Sequence, residues 1–275
     1  MSRFSRLPIF VLPLLALAAF RCTARDADAE TTTRQPEMRC RARTIAGARY
    51  RVCELPPAAL GRLRLLARDA QGRPWRTIER LDAGLHARGE RLQFAMNAGI
   101  YERPDSATGL LVADGGRTYT RLNVSPGPPN PCRTANFYCP PNGVFFVAGG
   151  RAAVLSTADF ARRPRTAPAV EMATQSGPLL VRRGALAQAF DPHGRSRTIR
   201  NGVCVRADGT VVFAISDDGV TLYELATAFR DALACPDALY LDGTISALYT
   251  GADLPPQRHD FSAMFAVTEP IAGRR

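Results

Sequence analysis

Short apolar runs, repeatedly interrupted by glycine, proline or an Asp-Gly pair, predict an α+β fold: a single strand-rich mixed domain with a few helices, tied by disulfides. Three observations lead there. The 275 residues are 46% hydrophobic and 22% charged, a composition that buries a core. Helical periodicity is confined to two segments, whereas strand-like runs recur along the chain. Of the 7 cysteines, one lies near the N-terminus and an even set shares the stretch that carries the strands, as in chains that form disulfides outside the cytosol.

The elements follow in order. Residues 1–22 place Arg3 and Arg6 ahead of an apolar run from Leu7 to Phe20, the layout of a secretory signal peptide. The run is short and marked by proline, so no stable membrane span is expected in the mature form. Residues 23–39 are polar, small and rich in Thr and Ala, and read as a linker, which leaves 40–275 as the folded domain. Strands are expected at "YRVCEL", "LRLLAR", "LQFAMN", "GLLVAD", "GVFFVA", "AAVLS", "GPLLV", "VCVRADGTVVFAI" and "ALYLD". Asp208-Gly209 marks a hairpin, and Asn142-Gly143 a second turn. In "TLYELATAFRDAL" the residues Leu222, Leu225, Ala226, Phe229 and Leu233 share one helical face. Thr221 and Glu224 form a capping box at its start, which assigns Glu224 to the helix end rather than to chemistry. "PWRTIERLDAGLHARG" is a second, weaker helix, and "NVSPGPPNPCRTANFYCPPNG" is a proline-rich loop.

Locality in the sequence suggests pairing Cys40 with Cys53, Cys132 with Cys139, and Cys204 with Cys235. His86, His193 and His259 are far apart and no CxxC pair occurs, so no metal site and no cofactor are expected. The formal charge of +11 comes entirely from scattered arginines, with no lysine and no basic helix or aromatic-basic module. Nucleic acid is therefore not an expected partner, while anionic small molecules are favoured electrostatically.

Polar residues interrupt the apolar strands at four junctions: Asn97 in "FAMNAGIYE", Gln175 and Ser176 in "ATQSGPLLV", Arg200 and Asn201 in "SRTIRNGVCV", and Asp242 and Gly243 in "DALYLDGTISALY". Any one of them reads as a turn residue or a satisfied amide. Together, two amides, a guanidinium and a carboxylate at strand ends beside glycine predict one convergent pocket.

These segments, in this order and spacing from about Cys53 to Val267, resemble the phosphodiester glycosidase (uncovering-enzyme-like) family, and most nearly its bacterial exported branch. The resemblance implies an exported protein, periplasmic or extracellular, that hydrolyses the bond between the anomeric carbon of a sugar and a phosphodiester. Asp242 would then be the nucleophile or the base for water, and Arg200 the phosphate clamp. Asn97, Gln175, Ser176, Asn201 and Gly243 would contact the sugar-phosphate or phospho-glycan substrate. A departing phosphomonoester needs less protonation than a sugar alkoxide, so one carboxylate carries most of the reaction. Asp217, Asp218, Asp191 and Glu102 are the candidates for a second. The chain has no G-x-S-x-G elbow, H-E-x-x-H or phosphate-binding loop. The alternative reading is a non-catalytic binding protein for anionic glycans or phospho-sugars, using the same pocket.

Overall fold

A computed structural model describes Met1 and residues 37–103, 106–251 and 259–271. The expected leader and most of the expected linker lie outside the described residues. In chain order, β1 (Arg39–Ile45), β2 (Ala48–Leu55) and β3 (Leu63–Leu66) precede α1 (Ile78–Ala87). Next come β4 (Glu90–Asn97), β5 (Tyr101–Arg103), β6 (Ser106–Ala107), β7 (Leu111–Ala113), β8 (Arg117–Thr120) and the short α2 (Pro131–Thr134). They are followed by β9 (Gly143–Ala148), β10 (Arg151–Ser156), α3 (Thr157–Ala161), β11 (Val170–Ser176), β12 (Leu179–Arg182) and β13 (Ala185–Leu186). The remainder holds β14 (Asn201–Val205), β15 (Val211–Ser216), α4 (Leu222–Thr227), β16 (Asp237–Tyr240), β17 (Leu248–Tyr249) and β18 (Met264–Pro270).

Among the described residues these strands pair antiparallel in three main sheets and one small hairpin. The first sheet, of 7 strands, runs β1-β2-β15-β14-β16-β12-β13. The second, of 5, runs β10-β9-β11-β7-β8, and the third, of 4, runs β17-β4-β18-β3. β5 pairs with β6 alone. The inward faces meet in one core in which every sheet contributes an aromatic ring: Phe213 from the first, Phe145 from the second, and Phe94 and Phe265 from the third, all fully buried. Phe213 lies 4.9 Å from Phe94 and 5.0 Å from Phe265, centroid to centroid, and Phe145 meets Phe265 edge-on at 5.3 Å. Such tilted and edge-on pairs are the favoured aromatic geometries, and they make the three sheets one packing unit.

The strand-rich α+β class and the disulfide ties are as the sequence predicts. Cys40–Cys53 bridges register partners on β1 and β2, Cys132–Cys139 closes the proline-rich loop, and Cys204–Cys235 ties β14 to the segment entering β16. The capping box is present: the Thr221 hydroxyl accepts from the Glu224 amide at 3.1 Å, and Glu224 Oε2 accepts from the Thr221 amide at 2.8 Å. The second helix is shorter than its pattern, because Thr77 caps it by accepting from the Arg80 amide. Asn142-Gly143, expected as a turn, instead leads into a strand: Gly143 opens β9, while Asn142 Nδ2 donates to the Phe137 carbonyl at 3.1 Å and braces the disulfide loop. β1, β5, β6, β8, β11, β13, β17 and β18 are absent from the sequence reading. Most side chains of β1 are exposed and many are arginine, so the strand follows from its pairing with β2 rather than from an apolar pattern.

Phe213→Ala removes the ring that packs against both Phe94 and Phe265 and lowers stability by about 3–5 kcal/mol. Equilibrium denaturant unfolding measures the loss.

Candidate active site

Each main sheet delivers a polar strand end to one region. Asn97 closes β4 of the third sheet, Gln175 and Ser176 close β11 of the second, and Asn201 opens β14 while Asp242 follows β16 in the first. Asn97 is fully buried, and its carboxamide joins three segments. Its Oδ1 accepts from Asn201 Nδ2 at 2.6 Å and from the Ala247 amide at 3.1 Å, and its Nδ2 donates to the Asp242 carbonyl at 3.0 Å. Asn97, Asn201 and Asp242 are thus brought together, with the Asn97 carboxamide gripping the Asp242 turn through its backbone and Asn201 holding Asn97.

Arg200 holds the same turn from a second side. Only 5% exposed, it donates through Nε to the Val220 carbonyl at 2.8 Å, through Nη1 to the Tyr240 hydroxyl at 2.9 Å, and through Nη2 to the Ser196 carbonyl at 3.1 Å. Its guanidinium also stacks on the Tyr240 ring, 5.6 Å from the centroid. The Tyr240 hydroxyl in turn accepts the backbone N–H of Gly243. A Cβ at Gly243 would stand 1.8 Å from that hydroxyl, so glycine is required there to admit it. Burial raises the Tyr240 phenol above its ordinary pKa, Arg200 pulls it down, and the charge of Asp242 raises it further.

Gln175 is directed elsewhere. Its Oε1 accepts from the Leu110 amide at 3.0 Å and the Asn123 amide at 2.8 Å. Its Nε2 donates to the Asn123 carbonyl at 2.7 Å and to Thr157 Oγ1 at 3.1 Å. All four positions of the amide are thereby filled inside the protein, and none remains for a sugar. The neighbouring residues hold the "NAGIY" turn: Thr174 Oγ1 accepts from the Gly99 amide at 3.1 Å and Ser176 Oγ from the Ile100 amide at 3.3 Å.

Beside this framework lies a cavity of about 480 Å³, whose walls carry Asp242, Tyr101, Glu102, Phe137, Tyr138 and His259. Asp242 is the one predicted site residue that lines it. Asn97, Gln175, Ser176, Arg200, Asn201 and Gly243 stand behind the wall as its supports. The loop closed by Cys132–Cys139 supplies one side. Of the candidate second carboxylates, Glu102 shares this cavity. Asp217 pairs with Arg51 at 3.0 Å, Asp218 with Arg49 at 3.2 Å, and Asp191 accepts from the His193 amide at 2.8 Å, all away from Asp242. Burial, then the charges of Asp242 and Asp260, push the Tyr101 phenol up to about 12. At neutral pH it is therefore a protonated donor on the cavity wall. Tyr101, Phe137, Tyr138 and His259 escape the sequence reading, because Tyr101 opens the very short β5 and the others lie in segments with no periodic apolar pattern. The sole hint is the disulfide that shapes one of those segments. Among the described residues, no group of three His, Cys, Asp or Glu side chains is placed to hold a metal ion.

A family model described as phosphodiester glycosidase matches residues 90–268. The protein YigE of Escherichia coli (strain K12), described as uncharacterized, is 31% identical over 262 residues, spanning 95% of this chain and 91% of that protein. Among solved structures, the fold is similar to the catalytic domain of zebrafish N-acetylglucosamine-1-phosphodiester alpha-N-acetylglucosaminidase auto-inhibited by its pro-peptide. The TM-score is 0.54 at 14% identity, over 84% of this chain and 82% of that one.

Gln175→Glu replaces the Nε2 donor with an oxygen facing the Asn123 carbonyl and destabilises the fold by about 1–3 kcal/mol. Thermal unfolding of the variant checks this, and a midpoint equal to wild type contradicts the bracing role.

Proposed function

This chain belongs to the phosphodiester glycosidase family, and from that membership we propose that it hydrolyses the bond between a sugar's anomeric carbon and the oxygen of a phosphodiester. The observation that carries the reading is Asp242: a carboxylate on a turn clamped through its backbone, facing a cavity that also holds Glu102 and three aromatic side chains. A volume of about 480 Å³ suits a sugar with its phosphate, within the range of roughly 300–1,000 Å³ usual for ligand sites.

Asp242 either attacks the anomeric carbon or takes a proton from the water that does. The C–O bond breaks with its electron pair passing to the phosphate oxygen, and the oxygen of water ends on the sugar. The phosphomonoester leaves as a stable anion, so little general-acid help is needed. Glu102, on the wall of the same cavity, is our choice of second carboxylate, taking the proton from water where Asp242 is the nucleophile. The Tyr101 O–H donates to the charge developing on the leaving group, and the His259 imidazole lines the same wall. The ring faces of Phe137 and Tyr138 suit the apolar face of a sugar.

Arg200 is then a positioning residue: it acts on Asp242 through the Tyr240 hydroxyl and the Gly243 amide rather than by gripping phosphate. Asn97 and Asn201 position the same turn from the other side. Three disulfides fit folding in an oxidising compartment, and we place the protein in the periplasm or outside the cell. Among the described residues no helix is long and apolar enough to cross a membrane.

Phosphorus-31 NMR with an N-acetylglucosamine-1-phosphodiester tests the proposal. Wild type releases the phosphomonoester, while Asp242→Asn, with an unchanged melting temperature, loses turnover by about 10²–10⁴-fold or more and still binds. Full activity in Asp242→Asn removes it from catalysis. Saturable binding without turnover in wild type favours the binding-protein reading.

A further inference from the structure

A second and larger cavity, of about 740 Å³, carries Arg68, Arg88, Arg117 and Tyr119 on its walls. Glu171, at the start of β11, also lines it, whereas Ser176, at the end of that strand, bonds the Ile100 amide beside Asp242. Five residues of strand span roughly 17 Å, so the two cavities are separate places on the molecule.

Tyr119 lies between two guanidiniums, with the central carbon of Arg68 at 5.6 Å from the ring centroid and that of Arg117 at 5.2 Å. Arg88 stacks likewise on Trp75 at 5.6 Å. A guanidinium held over a ring keeps its charge and has N–H donors beyond those facing the ring, the chemistry that receives an oxyanion. Among the described residues, no carboxylate forms an ion pair with these three guanidiniums, although Arg68 Nη1 donates to the Gly72 carbonyl at 2.9 Å; the acids on the same walls, Asp69, Asp114 and Glu171, are engaged otherwise. Asp114 accepts from the amides of Ala67 and Arg68 and from the Tyr119 hydroxyl, at 3.0, 3.0 and 2.7 Å. Asp69 pairs with Arg73 at 2.8 Å, and Glu171 accepts from the Gly150 amide at 3.0 Å.

A small third cavity borders the arginine cavity on the side of residues 106–108. It shares Arg68 and Tyr119 with the arginine cavity and reaches Ser106 and Ala107. The next residue, Thr108, lines the cavity of Asp242.

We infer that the arginine cavity is a distal anion subsite, and that the substrate is a glycan with repeated phosphodiesters. Its scissile unit lies at Asp242 and a more distant phosphate among Arg68, Arg88 and Arg117. The link to turnover rests on the glycosidase reading, whereas the anion subsite stands on its own geometry.

The test compares wild type with an Arg88→Ser/Arg117→Ser double variant, both residues being exposed. The probes are an N-acetylglucosamine-1-phosphodiester and a short oligomer of N-acetylglucosamine-1-phosphate repeats. The expected result is unchanged kinetics on the single unit, with KM for the oligomer raised about tenfold or more and its salt dependence flattened. Equal kinetics of the two proteins on the oligomer overturn the inference. If neither protein turns over either probe, the glycosidase reading fails, and calorimetric titration with the oligomer decides the subsite by itself. Affinity weakened by about tenfold in the double variant upholds it, and equal or absent binding overturns it.

Discussion

Asn97 Oδ1 accepts from Asn201 and from the Ala247 amide while its Nδ2 holds the Asp242 carbonyl, so a single buried carboxamide ties the end of β4 to β14 and to both flanks of the Asp242 turn. Neither a carboxylate nor an apolar side chain replaces it, because the position needs two acceptor contacts and a donor at once. In a fully buried setting each unmade bond leaves a polar group desolvated without compensation. The packing of the third sheet against the first is thereby coupled to the placement of one carboxylate.

The second clamp reaches Asp242 by a different route. Arg200 fixes the Tyr240 hydroxyl, that hydroxyl fixes the Gly243 amide, and the absence of a side chain at residue 243 lets it approach. A charge-assisted hydrogen bond inside the protein is strong and directional, so the turn is held from two sheets independently. The molecule thus divides its polar residues in two. Around the Asp242 turn the buried Asn97 and Arg200 give their donors to protein partners and so hold geometry, whereas Asp242 and Tyr101 stand on the cavity wall.

The sequence reveals the junctions more readily than the division between them. A carboxylate or amide that interrupts an apolar run beside glycine stands out in one dimension, and Asn97, Asn201 and Asp242 are found that way. Which of them faces a ligand depends on partners distant in the chain. The partners of Gln175 lie at Leu110, Asn123 and Thr157, and those of Arg200 at Val220 and Tyr240, so neither residue's role is readable from its neighbours. The disulfides are legible because each joins cysteines near in sequence or on adjoining segments. The cavity wall is not, since Tyr101, Phe137 and His259 come from separate short segments that carry no periodic signal.

Hydrolysis of an N-acetylglucosamine-1-phosphodiester in water enriched with oxygen-18 tests the account most directly, because it reports which bond breaks. Attack at the anomeric carbon, with Asp242 as nucleophile or base, puts the label on the released sugar and leaves the phosphorus-31 resonance of the phosphomonoester unshifted. Label on the phosphate would show cleavage between phosphorus and oxygen, and would contradict a glycosidase built around Asp242.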